Sequence, residues 1–169
     1  MKRITPATAL LFTASALMPG VASAGQPSPP AQGTWDDCNL TPVVRMAGPN
    51  AIVSVDITEN FQGTMEGSYV GTERDVVTAE GSVLFHGHGV FTGSIDGRTG
   101  TATYRYTGSL RPGEQSFNAT WVLIGKTGEL ASATGHGTFE GTGIDNWDPK
   151  CDGGEYAGTY QGAFRFVRQ

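Results

Sequence analysis

The chain has 169 residues, 25 of them Gly, with 9% aromatic content and 11 Lys+Arg against 16 Asp+Glu for a formal charge of -5. That is one domain's worth of chain, and its glycine- and threonine-rich make-up belongs to short strands and turns rather than to disorder. No basic run tracks a phosphate backbone, so nucleic acid is not expected as a partner.

Lys2 and Arg3 form a positive start, Ile4 to Met18 is uncharged and mostly apolar, and Pro19-Gly20 precedes Ala22-Ser23-Ala24. This is the pattern of a cleaved Sec-type signal peptide over residues 1–24. Its apolar stretch is shorter than the ~20 residues a spanning helix needs. No later run could cross a bilayer as a helix, and no Cys stands at the cleavage site to take a lipid. The expectation is a secreted or periplasmic protein without membrane insertion, more acidic once Lys2 and Arg3 are removed. Residues 25–34 read as a flexible Pro/Ser-rich leader and 35–169 as the folded domain, beginning at Trp35.

From there the chain alternates at period two between turn signals. Ala51 to Phe61 carries Ile52 and then Val53, Val55 and Ile57; Met65 to Thr72 and Arg74 to Thr78 supply further strands. Val83 to Ile95 ends at Asp96-Gly97, a hairpin signal, and Thr101 to Leu110 returns from it. Arg111-Pro112-Gly113-Glu114 reverses the chain into Gln115 to Ile124, and Gly137 to Thr142 and Glu155 to Val167 close the series. Thr127 to Ala133 is the one helical candidate. Seven or eight strands with short connections require an antiparallel sheet, and one that large must close or split to hide its edges. The fold class is therefore all-β, a closed antiparallel barrel of about eight strands.

A weak repeat fits a barrel. Gly63-Thr64-Met65-Glu66-Gly67, Gly137-Thr138-Phe139-Glu140-Gly141 and Gly158-Thr159-Tyr160-Gln161-Gly162 share Gly-Thr-large-Glu/Gln-Gly. In a strand this puts both glycines and the large residue on one face, which suits a strongly coiled strand with one bulky residue filling the taper. In an oxidising compartment Cys38 and Cys151, each in a polar turn-rich segment, are expected to pair. The bridge would be worth ~4 kcal/mol in the chain-entropy view and would favour closure by joining the two ends of the domain.

Gly87-His88-Gly89-Val90-Phe91-Thr92-Gly93 with Asp96-Gly97-Arg98-Thr99-Gly100, then Ala119-Thr120-Trp121, Thr127-Gly128-Glu129-Leu130 and Gly135-His136-Gly137-Thr138-Phe139, resemble a bacterial family of uncharacterised domains. The resemblance implies an allene-oxide-cyclase-like β-barrel and runs from about Gly63 to Gly141. The family pattern places an acidic–basic pair before the Phe, where this chain has Gly89 and Val90. No catalytic residue carries over from the family.

The candidate chemistry is sparse. His86 and His88 share a strand face and His136 lies between glycines; three imidazoles could hold Zn²⁺ or Cu²⁺. The Glu that a cupin-type site needs is absent after His88, and with Phe85 and Phe91 inward both histidines point out, so no metal is expected. Asp145, Asp148, Asp152 and Glu155 crowd one loop, but Lys150 occupies a calcium-ligand position and the closing Glu is missing. Asn39-Leu40-Thr41 and Asn118-Ala119-Thr120 match the glycosylation sequon.

The remaining candidates belong to a barrel lumen, which in eight strands is filled by side chains or holds one small ligand. Glu66, Glu73, Tyr104 and Tyr106 are the catalytic candidates, a buried carboxyl beside tyrosines being suited to acid–base chemistry. Phe85, Phe91, Tyr104, Tyr106, Trp121 and Phe139 are the candidate ligand contacts. The favoured reading is a barrel, monomeric or a small homo-oligomer, that binds a small apolar molecule without a cofactor. The alternatives are a cofactor-independent cyclase or isomerase and a filled structural or interaction barrel.

Overall fold

Period-two alternation governs the fold from end to end. The structure, a computed structural model, describes residues 30–144 and 148–167. Residues 1–24, read above as a signal peptide, Gly25 to Pro29, and Asp145 to Trp147 in the acidic loop lie outside the described residues. The strands are β1 (Pro30–Ala47), β2 (Asn50–Gly63), β3 (Met65–Val77), β4 (Val83–Ile95), β5 (Arg98–Leu110), β6 (Ser116–Gly128), β7 (Ala133–Gly143) and β8 (Gly154–Phe166). Each pairs antiparallel with the next, and β1 pairs with β8, so the sheet is a closed barrel of eight strands with no free edge.

The boundaries differ from the sequence reading in three places. β1 starts at Pro30, inside the stretch read as leader, because Pro30 to Asn39 runs the length of β8 from Ala163 to Gly154. Pro30 is the first residue of its strand, where a missing N–H costs no ladder bond. The two segments read around Glu73 are one strand, β3, because no turn residue interrupts the pleat. The helical candidate shrinks to a single 3₁₀ turn, Glu129–Ser132, that buries Leu130.

The Asp96-Gly97 hairpin is as expected, with φ of 51° and 75° in the two turn residues. Two copies of the repeat face each other across β7 and β8: Gly137 opposes Gly162, Phe139 opposes Tyr160 and Gly141 opposes Gly158. The Trp121 ring lies over that seam. A Cβ on Gly137 would stand 2.7 Å from both Gly162 Cα and Trp121 Cε2, so the glycines make room for the largest side chain in the lumen.

One end of the barrel is shut. Met65, Ile95 and Leu130 are fully buried there, and the Tyr160 hydroxyl accepts a hydrogen bond from the Met65 N–H at 2.7 Å. Above this plug the lumen is packed with rings. Phe61 meets Phe91 and Tyr104 edge-on at 5.9 and 5.5 Å, and Trp121 contacts Tyr104 at 6.1 Å and Phe164 at 5.4 Å. The opposite end, where the β3–β4, β5–β6 and β7–β8 connections lie, stays open.

Candidate functional site: an acidic mouth above an aromatic floor

Trp35 sets the phase of β1. Its indole packs on Phe117 and Phe139 at 5.9 and 5.2 Å, and its Nε1–H donates to the Glu140 carbonyl at 3.2 Å. With Trp35 inward, the pleat turns Asp37 and Asn39 inward as well, leaving Cys38 on the other face. On β2 the inward series Val55, Ile57, Glu59, Phe61 carries a carboxyl at an apolar position, and register sets Glu59 opposite Asp37. On β3 the series Met65, Tyr69, Glu73, Asp75 delivers two more.

These side chains line a cavity of about 140 Å³ at the open end, floored by Trp35, Phe85, Phe117 and Phe139 and flanked by Tyr106 and Tyr156. Asp37, Asn39 and Glu59 are only 7%, 5% and 4% exposed. Among the described residues the ion pairs are Arg98–Asp96 and Arg111–Glu114, both on the surface, so no basic side chain balances the four mouth carboxyls.

Charge without a counter-charge in a desolvated place keeps carboxyls protonated. Burial, then the neighbouring Glu73 charge, pushes Asp37 well above the usual range, against the pull of the Tyr156 N–H that donates to it at 2.9 Å. Burial and then Asp37 and Glu73 do the same to Glu59. Burial and the Asp75 charge raise Glu73 to about 8. Asp75, lifted by burial to about 6, is held down by its contact with Glu73. Both carboxyls of this pair are thus pushed up toward neutrality, and the two titrate as a unit.

Gly87 explains how Tyr106 reaches this group. Glu73 on β3, Gly87 on β4 and Tyr106 on β5 stand in one row, and a Cβ on Gly87 would fall within the Tyr106 ring. The ring leans across the bare backbone toward β3, where its hydroxyl partly offsets the rise at Glu59 and Glu73. That hydroxyl still makes no full hydrogen bond, and neither do Tyr69 Oη, Asn39 Oδ1 and Asp75 Oδ1, all buried. An idle buried hydroxyl costs about 1 kcal/mol or more. Tyr106→Phe is therefore expected to raise the unfolding free energy of the empty protein by about 1 kcal/mol, whereas Tyr160→Phe, which removes a bonded hydroxyl, lowers it by a similar amount. Urea midpoints check both, and equal destabilisation by the two would contradict an idle Tyr106.

The disulfide braces this mouth from outside. Cys38 and Cys151 are bridged with their Cα atoms 5.0 Å apart, pinning the segment before β8 against β1. The Gly153 N–H donates to the Asn39 carbonyl at 2.9 Å, and Asp152 Oδ1 accepts from the Thr41 N–H at 2.6 Å. The carboxylates of Asp148 and Glu155 likewise accept backbone N–H groups, from Lys150 at 3.0 Å and from Asp148 at 2.8 Å. The acidic residues described in this loop are thus engaged in shaping turns.

Of the sequence candidates, Glu73, Tyr106, Phe85 and Phe139 meet at the mouth. Phe91, Tyr104 and Trp121 are buried deeper, in the ring-packed part of the lumen. Glu66 is exposed on the outer face of β3, near the shut end, away from the other three catalytic candidates. His86 and His88 are exposed on β4 and His136 is exposed on β7, with β5 and β6 between them. Among the described residues no three His, Cys, Asp or Glu side chains are grouped to hold a metal ion. Asp37, Asn39, Glu59 and Asp75 were missed by sequence reasoning. The signal for Glu59 was available: a lone carboxyl on the apolar phase of Val55, Ile57 and Phe61.

No curated protein matches this chain. A crystal structure of a DUF3224-family protein with unknown function from Shewanella oneidensis MR-1 superposes on it with a TM-score of 0.63 at 20% sequence identity, covering 84% of this chain and 99% of that one. At that identity the likeness speaks for the barrel alone. The sequence pattern of the family described as "Protein of unknown function (DUF3224)" matches residues 35–147, most of the folded part, and the chain belongs to that family.

Proposed function

We propose that the protein is an exported barrel that holds one small molecule in its mouth, without a cofactor. The observation that carries this reading is the cavity: about 140 Å³, walled by aromatic rings, with buried polar atoms left unpartnered around it. A dry apolar cavity of about 150 Å³ takes one benzene-sized molecule, which sets the scale of the occupant. Rings supply the contact area, and a few convergent polar groups fix orientation. Export is supported by the charged start, apolar stretch and Ala-x-Ala end of residues 1–24 and by the bridge between Cys38 and Cys151.

Native mass spectrometry of the mature protein from its exported fraction tests the reading. One extra mass per chain, lost on denaturation, is expected. A bare mass, together with tryptophan fluorescence unmoved by small aromatic probes, would count against it and for a barrel that serves structure or interaction alone. The cyclase or isomerase alternative draws support from the Glu73–Asp75 pair, an acid beside a base facing one cavity. On that reading Asp75→Asn abolishes turnover of the captured molecule while leaving it bound.

A further inference from the structure

The mouth is chemically one-sided. Asp37, Glu59, Glu73 and Asp75 offer carboxyl oxygens, and the unpartnered Asn39 Oδ1 and Asp75 Oδ1 are acceptors too. The idle Tyr106 hydroxyl, on a side chain 5% exposed, accepts as readily as it donates. Nothing here would neutralise an anion. An occupant that satisfies these atoms must bring N–H or O–H donors, and one that satisfies the carboxylates must bring positive charge. The floor rings add a face on which a cation is held by the ring quadrupole.

We propose that the occupant is a small organic ammonium ion, a primary or secondary amine on a single ring or a short apolar chain, taken up in exchange for a carboxyl proton. The inference rests on the small-molecule reading above and adds the ligand's charge and class. In the exchange the ammonium keeps its own protons, one mouth carboxyl ionises against it, and that proton leaves to solvent. Glu73 is the principal exchanger, since burial and Asp75 raise its carboxyl and Tyr106 leans toward it across Gly87. The titratable groups that face it are Asp37 from β1, Glu59 from β2, Tyr69 and Asp75 from β3, Tyr106 from β5 and Tyr156 from β8. From β4, β6 and β7 come Phe85, Phe117 and Phe139, which do not titrate. No neighbour brings a positive charge, and burial and the Asp75 carboxylate outweigh the help of the Tyr106 hydroxyl, so Glu73 resists ionisation until a cation arrives.

The test titrates the mature protein with benzylamine, benzyl alcohol and benzoate by calorimetry, with intrinsic tryptophan fluorescence as a second readout. At pH 8 benzylamine is expected to bind at least about tenfold more tightly than benzyl alcohol, and benzoate not at all. Benzylamine affinity should fall as the pH drops from 8 to 6, approaching tenfold per unit below about pH 7, because one bound proton must leave. Heats measured at about pH 7 in buffers of different ionisation enthalpy should report about one proton released per ligand. Glu73→Gln should flatten that pH dependence and narrow the preference for benzylamine over benzyl alcohol. Benzyl alcohol binding as tightly as benzylamine, benzoate binding best, or benzylamine binding without proton release would each overturn the ammonium exchange while leaving small-molecule binding intact. If none of the three binds, both readings fall.

Discussion

The protein carrying Cys38→Ser together with Cys151→Ser is expected to unfold about 15 °C below the parent. The bridge joins residues 113 apart in sequence, and cross-linking a loop of that length removes unfolded-state entropy worth ~4 kcal/mol. At ~4 °C per kcal/mol for a domain of this size, that sets the shift. The effect on the folded state should centre on the mouth. Cys38 lies between the inward Asp37 and Asn39, and the bridged segment is held to β1 by the Gly153-to-Asn39 and Thr41-to-Asp152 bonds. Releasing it should speed amide exchange at Thr41 and Gly153 while the Met65 amide, at the shut end, stays protected in step with global stability. Scanning calorimetry decides the main point. A loss below about 1 kcal/mol would mean that the unfolded chain is not constrained by the bridge.

What could be read from the sequence was local. The Asp96-Gly97 turn is settled by two residues that tolerate positive φ, and the strands on either side pair directly from it. The Gly-x-large-x-Gly repeat is equally local, since pleat parity alone puts Phe139 and Tyr160 on the glycine face. The candidate site is different because its four carboxyls come from three strands. Asp37 and Glu59 meet through the β1–β2 register, which neither segment encodes alone. Glu66 and Glu73 show how parity was lost. Dividing β3 near Glu73 removed the phase set by Met65 and Tyr69, and that phase sends Glu73 inward and Glu66 outward. β1 misleads in the opposite sense: Val43, Val44 and Met46 are exposed at the far end of the β1–β2 hairpin, where a purely apolar reading would bury them.

Glu73→Gln is expected to stabilise the empty protein at pH 8 by about 2–3 kcal/mol and to leave it nearly unchanged at pH 5. The sign follows from which state holds the proton. In the unfolded chain the Glu73 carboxyl ionises near 4.5, and in the barrel near 8. Below 4.5 both states are protonated and the carboxyl costs no ionisation energy. Between 4.5 and 8 the folded state binds the extra proton, so stability declines as pH rises and the loss is complete above 8. The full shift corresponds to about 5 kcal/mol, of which the buried amide of the variant gives part back. Glu66→Gln, on the outer face of the same strand, serves as the control and should move neither value by more than about 0.5 kcal/mol. Urea midpoints at pH 5 and 8 read the difference, and a Glu73 variant less stable than the parent at pH 8 would contradict the raised carboxyl. The same substitution is expected to weaken benzylamine uptake. Gain in one measurement with loss in the other is the pattern of a group retained for binding at the expense of stability. A buried carboxyl with no part in binding would show the gain alone.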